Sequence, residues 1–224
     1  MEIYGRMLLE GKTIPLNEQK AIEILTNAVN KYDSDISRVL LCKNILSKEK
    51  NLDEEVNYFL AKKYAKEASD NGNTDALILY GKLCEKSCNN KYGKVEQNFK
   101  EAFDYFKMAH DRGDHEGTAL YSKYLEYPHG LFTPEIKQSV NLAKMAADKG
   151  NETAILRHAI HLLNGTCIQK NYKEAFKLIK NGVEKLIPSY VFTYGLCLYN
   201  GYYDLTKNEE KGLEYIKKAA LEGH

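Results

Sequence analysis

The chain has 224 residues, 43% of them apolar and 28% charged, and a net charge of +1. This is enough for one domain with a sizeable core, and the near-neutral balance supplies no global field to draw DNA or RNA. No apolar run approaches the roughly 18 residues of a membrane helix, and the opening MEIYGRMLLEGK lacks the basic region and apolar core of a signal peptide.

The elements read as helical hairpins. A first helix is expected over 3–10, a loop over 11–15 and a second helix over 16–30. The next hairpins span 34–73, 74–114, 115–151, 152–187 and 188–224. The second carries a long polar loop, 47–55, and the third another, 87–98. In the fourth, Tyr127-Pro128-His129-Gly130 forms the turn, and the second helix is expected to start with Thr133 as N-cap and Pro134 at the first helical position. In the last, Tyr194-Gly195 lies in the first helix, Asn200-Gly201 ends it, and the second helix opens over 207–210 and runs to Gly223.

Small residues mark the repeat. Near the end of each second helix stand Ala28, Ala68, Ala109, Ala146, Gly182 and Ala219, at gaps of 40, 41, 37, 36 and 37 residues. Seven residues earlier come Ala21, Ala61, Ala102, Ser139, Ala175 and Gly212. Seven residues is about two helical turns, so both columns share one face and admit a close neighbour. First helices have their own column: Gly5, Cys42, Gly81, Ser122, Ala159 and Gly195. Four residues after the second-helix column, Gly72, Gly113, Gly150 and Gly223 are placed as C-caps, with Tyr32 and Leu186 departing. A period in this range marks stacked hairpins, none of which buries its apolar face alone.

The pattern resembles the Sel1-like repeats, a tetratricopeptide-like class with a period of about 36 residues. The residues that carry it are Tyr80-Gly81, Lys100-Glu101-Ala102, Tyr105 to Ala109 and Arg112-Gly113. They recur as Asn164-Gly165 and Lys173 to Phe176, and again from Tyr194-Gly195 to Gly223. The resemblance covers essentially the whole chain, is sharpest in the third and sixth hairpins and is degenerate in the first two. The family's glycine-x-glycine-valine loop run, followed by an aspartate, is missing almost everywhere. The resemblance implies an all-α, right-handed α-solenoid of antiparallel helix-turn-helix repeats, about five and a half of them with 1–33 partial, forming one domain of a longer protein. It implies a non-enzymatic scaffold or adaptor for a protein or peptide partner, without cofactor, metal, nucleic acid or membrane. Some secreted relatives carry a regular cysteine pair per repeat. The five cysteines here, at 42, 84, 88, 167 and 197, follow no such rule and point to the cytoplasm. The alternatives are a regulatory repeat region attached to a catalytic domain such as a kinase, and a β-lactam-acting repeat enzyme.

Chemical motifs weigh little against this. Gly11-Lys12-Thr13 has the ending of a phosphate-binding loop, but Gly5 to Gly11 is one residue too long and the repeat already explains both glycines. Ser47-Lys48-Glu49-Lys50 matches serine-x-x-lysine, without the partner motifs of a β-lactamase. Cys84 with Cys88, and His158 with His161, have helical spacing but no further ligand at hand. No convergent acid, base and nucleophile set emerges.

In this class first helices line the concave face. The residue after the first-helix column is Arg6, Lys43, Lys82, Lys123, Ile160 and Leu196 in turn. On the same side the late hairpins add Leu156, Leu163, Phe192 and Tyr199. A groove basic over its early part and apolar over its late part is expected to hold a peptide that is acidic at one end and apolar at the other. The competing reading makes Lys82 with Glu85, and Lys123 with Glu126, solvated pairs within one helix.

Overall fold

The computed structural model describes residues 1–47, 54–86, 88–90, 93–203 and 205–222, with backbone alone at 54–57, 88–90 and 93–95. Among them are α1 (Glu2–Glu10), α2 (Glu18–Tyr32), α3 (Asp35–Ser47), α4 (Glu54–Asp70), α5 (Thr74–Cys84), α6 (Phe99–Asp111) and α7 (His115–Glu126). Then follow α8 (Ile136–Asp148), α9 (Glu152–Asn164), α10 (Tyr172–Glu184), α11 (Pro188–Asn200) and α12 (Glu209–Leu221). The chain forms two compact units, Met1–Gly117 and Thr118–His224. In the first, α1 packs on α2, α3 on α4 and α5 on α6; in the second, α8 packs on α9, α9 on α10 and α11 on α12. This is the all-α class of antiparallel helix-turn-helix repeats.

The small columns are the contacts. Ala21, Ala61, Ala102, Ser139 and Ala175 are fully buried, as are Cys42, Ser122 and Ala159 in first helices. Where the column is glycine the approach is closer still. A Cβ on Gly81 would stand 2.5 Å from the Phe106 ring, and one on Gly212 would stand 2.6 Å from the Tyr199 backbone nitrogen. Around Ala159 and Ala175 the second unit builds a core with Leu162, Leu163, Ile179 and Cys197.

Each described turn is closed by one recurring clasp. The N-cap residue of the second helix donates its backbone N–H to a first-helix carbonyl three residues past the small column. The pairs are Asn17 to Leu8 (3.1 Å), Asn98 to Cys84 (2.8 Å), Asn171 to Leu162 (3.0 Å) and Asn208 to Leu198 (2.9 Å). The same asparagine side chains accept from the N–H three residues on, as Asn98 does from Glu101 at 3.0 Å. One asparagine thus satisfies an orphan donor of the second helix and ties down the loop. In the fourth hairpin Glu135 occupies this place, its N–H donating to the Leu125 carbonyl at 2.8 Å. This corrects the expected start at Thr133-Pro134: the helix begins at Ile136, with Glu135 as N-cap. The clasp fixes the cap position, and Pro134 holds the extended approach to it.

The polar loop of the third hairpin departs from expectation by forming a two-stranded antiparallel ribbon, β1 (Cys88–Asn90) and β2 (Gly93–Val95), with Asn89 opposite Lys94. Gly72, Gly113 and Gly150 adopt positive φ of 93°, 80° and 85° as helix ends, whereas Gly223 lies outside the described residues. In the departing hairpins Asp33 and Leu186 take the left-handed conformation, with φ of 54° and 57°. A left-handed leucine is costly, and Leu186 is exposed. Leu186→Gly is therefore expected to raise stability by about 0.5–1 kcal/mol. Gly81→Ala, which pushes a methyl into Phe106, is expected to lower it by about 1–3 kcal/mol. Urea unfolding of both variants beside wild type checks the opposite signs.

Candidate functional site

The first-helix face of each unit has its own character. In the first unit Arg6, Lys43 and Lys82 are all exposed. Lys43 Nζ donates to Asp75 Oδ2 at 2.8 Å, and Lys82 Nζ donates to Glu116 Oε1. Both acids lie in the first turn of the following first helix. There a carboxylate also complements the positive end of the helix dipole. Lys43 and Lys82 thus bridge consecutive hairpins. Lys82 reaches a carboxylate of the next hairpin, beyond the Lys82–Glu85 spacing within its own helix.

In the second unit Lys123 is half-buried. Glu126, its expected helical partner, accepts from Arg157 Nη1 of α9 at 3.0 Å. Ile160 and Phe192 are half-buried and Leu196 is exposed. Leu163 is not there: it is 2% exposed, inside the core around Ala159. It stands four residues after Ala159 and so shares the face of the small column rather than the opposite one. Leu156 is half-buried and packs against the same core. The backbone of Tyr199 lies against Gly212, which leaves its side chain half-buried. What remains are three apolar side chains that are not fully buried, Ile160 on α9 and Phe192 and Leu196 on α11, and α11 contains no charged residue.

Sequence reasoning missed Arg38. It is buried in α3 and bonds Asp35 Oδ1 at 3.0 Å, Glu67 Oε2 at 3.1 Å and the Asp33 carbonyl at 3.0 Å, besides the Asp33 carboxylate. The signal was present. Arg38 stands four residues before Cys42, a slot filled by Leu77, Ile155 and Val191 in other hairpins. An arginine in an apolar column needs acids, and Asp33 and Asp35 flank it.

The remaining candidates resolve as follows. Gly11 caps α1 with φ of 64°. Ser47 ends α3 and donates to the Asn44 carbonyl, while 48–50 lie outside the described residues. Cys42, Cys84 and Cys197 are buried, and burial pushes their thiols up to about 12, 11 and 11. Their thiolates are scarce at neutral pH. The side chain of Cys88 lies outside the described residues. His158 and His161 are both buried in α9, and burial pushes both rings below their ordinary value. Among the described residues no group of three His, Cys, Asp or Glu side chains is placed to hold a metal. No described helix is long and apolar enough to cross a membrane.

Helical hairpins joined through small columns, with paired charges and partly exposed apolar side chains on their first helices, define a helical-repeat protein of the tetratricopeptide-like kind. The Sel1 repeat profile matches residues 1–33, 52–73, 75–114, 118–151, 153–181 and 192–224. The chain belongs to the Sel1 repeat family. Among solved structures it resembles a Sel1 repeat protein from Oxalobacter formigenes, with TM-score 0.73 and 16% identity over 99% of this chain and 86% of that one. It also resembles a protective antigen of uropathogenic Escherichia coli strains with the SLR fold, with TM-score 0.67 and 18% identity over 100% of this chain and 46% of that one. No curated protein matches the chain. These likenesses concern the fold.

Two measurements separate the roles of these side chains. Arg38→Met is expected to cost about 2 kcal/mol, because three carboxylates lose a buried donor. Lys82→Gln, at an exposed pair, is expected to change stability by less than about 0.5 kcal/mol in the same denaturation assay. With a thiol reagent at pH 8, exposed Cys167 is expected to label rapidly. Cys42, Cys84 and Cys197 are expected to label only as the chain unfolds, read by mass spectrometry of the peptides.

Proposed function

We propose that the chain is a non-enzymatic adaptor, working in the cytoplasm, that binds a protein or peptide partner along the first-helix face. The Sel1 repeat fold is generally a protein-interaction scaffold, and that coarse role needs a surface with anchors. The observation that carries the finer reading is the charge-free sequence of α11, where Leu196 is exposed and Phe192 half-buried, as Ile160 is on α9. Apolar side chains grouped on a rigid helix are the common anchors of peptide grooves. Lys43 and Lys82 already have carboxylate partners, so they add selectivity toward acidic segments rather than most of the affinity. The partner is a segment whose apolar side chains meet Ile160, Phe192 and Leu196, with acidic residues toward Lys123.

An affinity capture from source-cell lysate tests this, with folding of every bait checked by circular dichroism. A partner held by wild type is expected to be lost with Leu196→Asp. With Lys43→Glu, Lys82→Glu and Lys123→Glu combined, it is expected to be retained at low salt with roughly tenfold weaker binding. Retention by folded Leu196→Asp together with loss in the charge variant would reverse the assignment. Retention by both would place the partner elsewhere.

A further inference from the structure

The second unit buries a group of ionisable side chains that the partner-binding face does not use. His161 is 2% exposed and His158 is 7% exposed, three residues apart on α9. His161 Nε2 stands 3.7 Å from Glu126 Oε2, too far for a hydrogen bond, while that oxygen accepts from Arg157 at 3.0 Å. His161 Nε2, His158 Nδ1 and Arg157 Nε have no hydrogen-bond partner among the described residues. A buried polar atom without a protein partner calls for an ordered water or for a second arrangement of the group in which it is paired.

We propose that His158 and His161, with Glu126 and Arg157, form an acid-operated latch on α9. Uptake of protons by the two buried rings draws Glu126 off Arg157 and loosens the packing of α9 in the second unit. At neutral pH both rings are uncharged and the one carboxylate is matched by the one guanidinium. Each proton taken up adds a positive charge to the same buried helix face. Facing His161 are Glu126 from the end of α7 and Arg157 and His158 from α9 itself. Facing His158 are Lys144 and Asp148 of α8 and Glu174 of α10. Lys144 is already bonded to Asp148 at 2.9 Å, and Glu174 accepts from Asn171 at 2.9 Å. Tyr127, beside Glu126, is exposed and supplies no charge below neutral pH. A protonated His161 becomes a second cation competing for Glu126, and Arg157, at 17% exposure, has a route to solvent.

The direction in pH follows from burial. Burial holds both rings below the roughly 6.5 they recover when unfolded. The unfolded chain therefore takes up protons first as the pH drops. The stability this pair contributes is complete above about 6.5 and is lost as the pH falls from there toward the folded-state values. Carboxylates stay ionised over most of that window, so it isolates the histidines.

The test uses the whole chain and needs no partner, so it stands or falls apart from the adaptor reading. Thermal unfolding is followed from pH 7.5 to 5.0 for wild type, the double variant His158→Gln with His161→Gln, and His115→Gln as an exposed control. The wild-type and control midpoints are expected to fall by about 5 °C or more, and the double variant by less than half as much. Histidine proton NMR of wild type is expected to show two rings titrating below the ordinary value. In Glu126→Gln one of the two is expected to move lower still, because its only close carboxylate is gone. Equal pH slopes for wild type and the double variant would overturn the latch. So would two buried rings titrating at or above about 6.5 in wild type, a readout that holds even if the glutamine variant fails to fold.

Discussion

The structure depends on how closely two helices approach when nothing larger than a methyl, thiol or hydroxymethyl group lies between them. Helix surfaces normally pack at about 8–10 Å, set by the side chains at the crossing. Ala21, Ala61, Ala102 and Ala175 are fully buried at these crossings, and Gly212 brings α12 against the backbone of Tyr199. Close approach has two consequences. It makes the apolar burial of each hairpin efficient although the helices are short, and it leaves little room for drift between hairpins. Phe106 packs directly against Gly81 for the same reason. The aromatic ring fills what the glycine vacates, so the pair acts as one packing element contributed from two helices.

The turns obey a second constraint, the need to satisfy backbone groups at helix ends. The asparagine at the start of α2, α6, α10 and α12 uses its amide N–H and its side-chain oxygen at once. Glutamate in that place in the fourth hairpin keeps the backbone bond and makes no side-chain cap. The backbone bond therefore sets the geometry, and the asparagine side chain adds stability to it. The variable loops are tolerated for this reason. Whatever lies between the first helix and the clasp, including the β1–β2 ribbon, begins and ends at fixed points.

Much of this was legible in the sequence. The small columns reported the helix faces, and the glycines at 72, 113 and 150 reported helix ends, because both are local steric requirements with a fixed spacing. The asparagine column, eleven residues before the small one, was equally visible and was not read. Its capping positions are Asn17, Asn98, Asn171 and Asn208, with Glu135 in place, while Asn57 at the same spacing lies within α4. Thr133-Pro134 drew the helix start forward because local cap chemistry and the repeat disagree there, and the repeat wins. The candidate face was less legible. Leu163 follows Ile160 by three residues and Ala159 by four, so helical phase alone leaves it between the two faces, and only its burial in the core decides the matter. Ion-pair partners such as Asp75 and Glu116 lie 32 and 34 residues from their lysines. No rule of helical spacing reaches that far, since such pairing depends on how successive hairpins are placed.

Those long-reach pairs bear on how the face evolves a ligand. A first-turn carboxylate is favoured by the helix dipole whether or not a lysine reaches it. A lysine on the preceding first helix then gains a partner at the cost of side-chain entropy alone. Such a ladder arises in a hairpin array without any ligand selecting it, so a row of cations on this face is weak grounds for an acidic partner. Leu196 differs in kind, because its apolar side chain is left 36% exposed and enters no ion pair. Charges on the first helices follow from pairing between consecutive repeats, whereas the partly exposed side chain of Leu196 enters no such pairing, and the proposed contact is therefore tested there first.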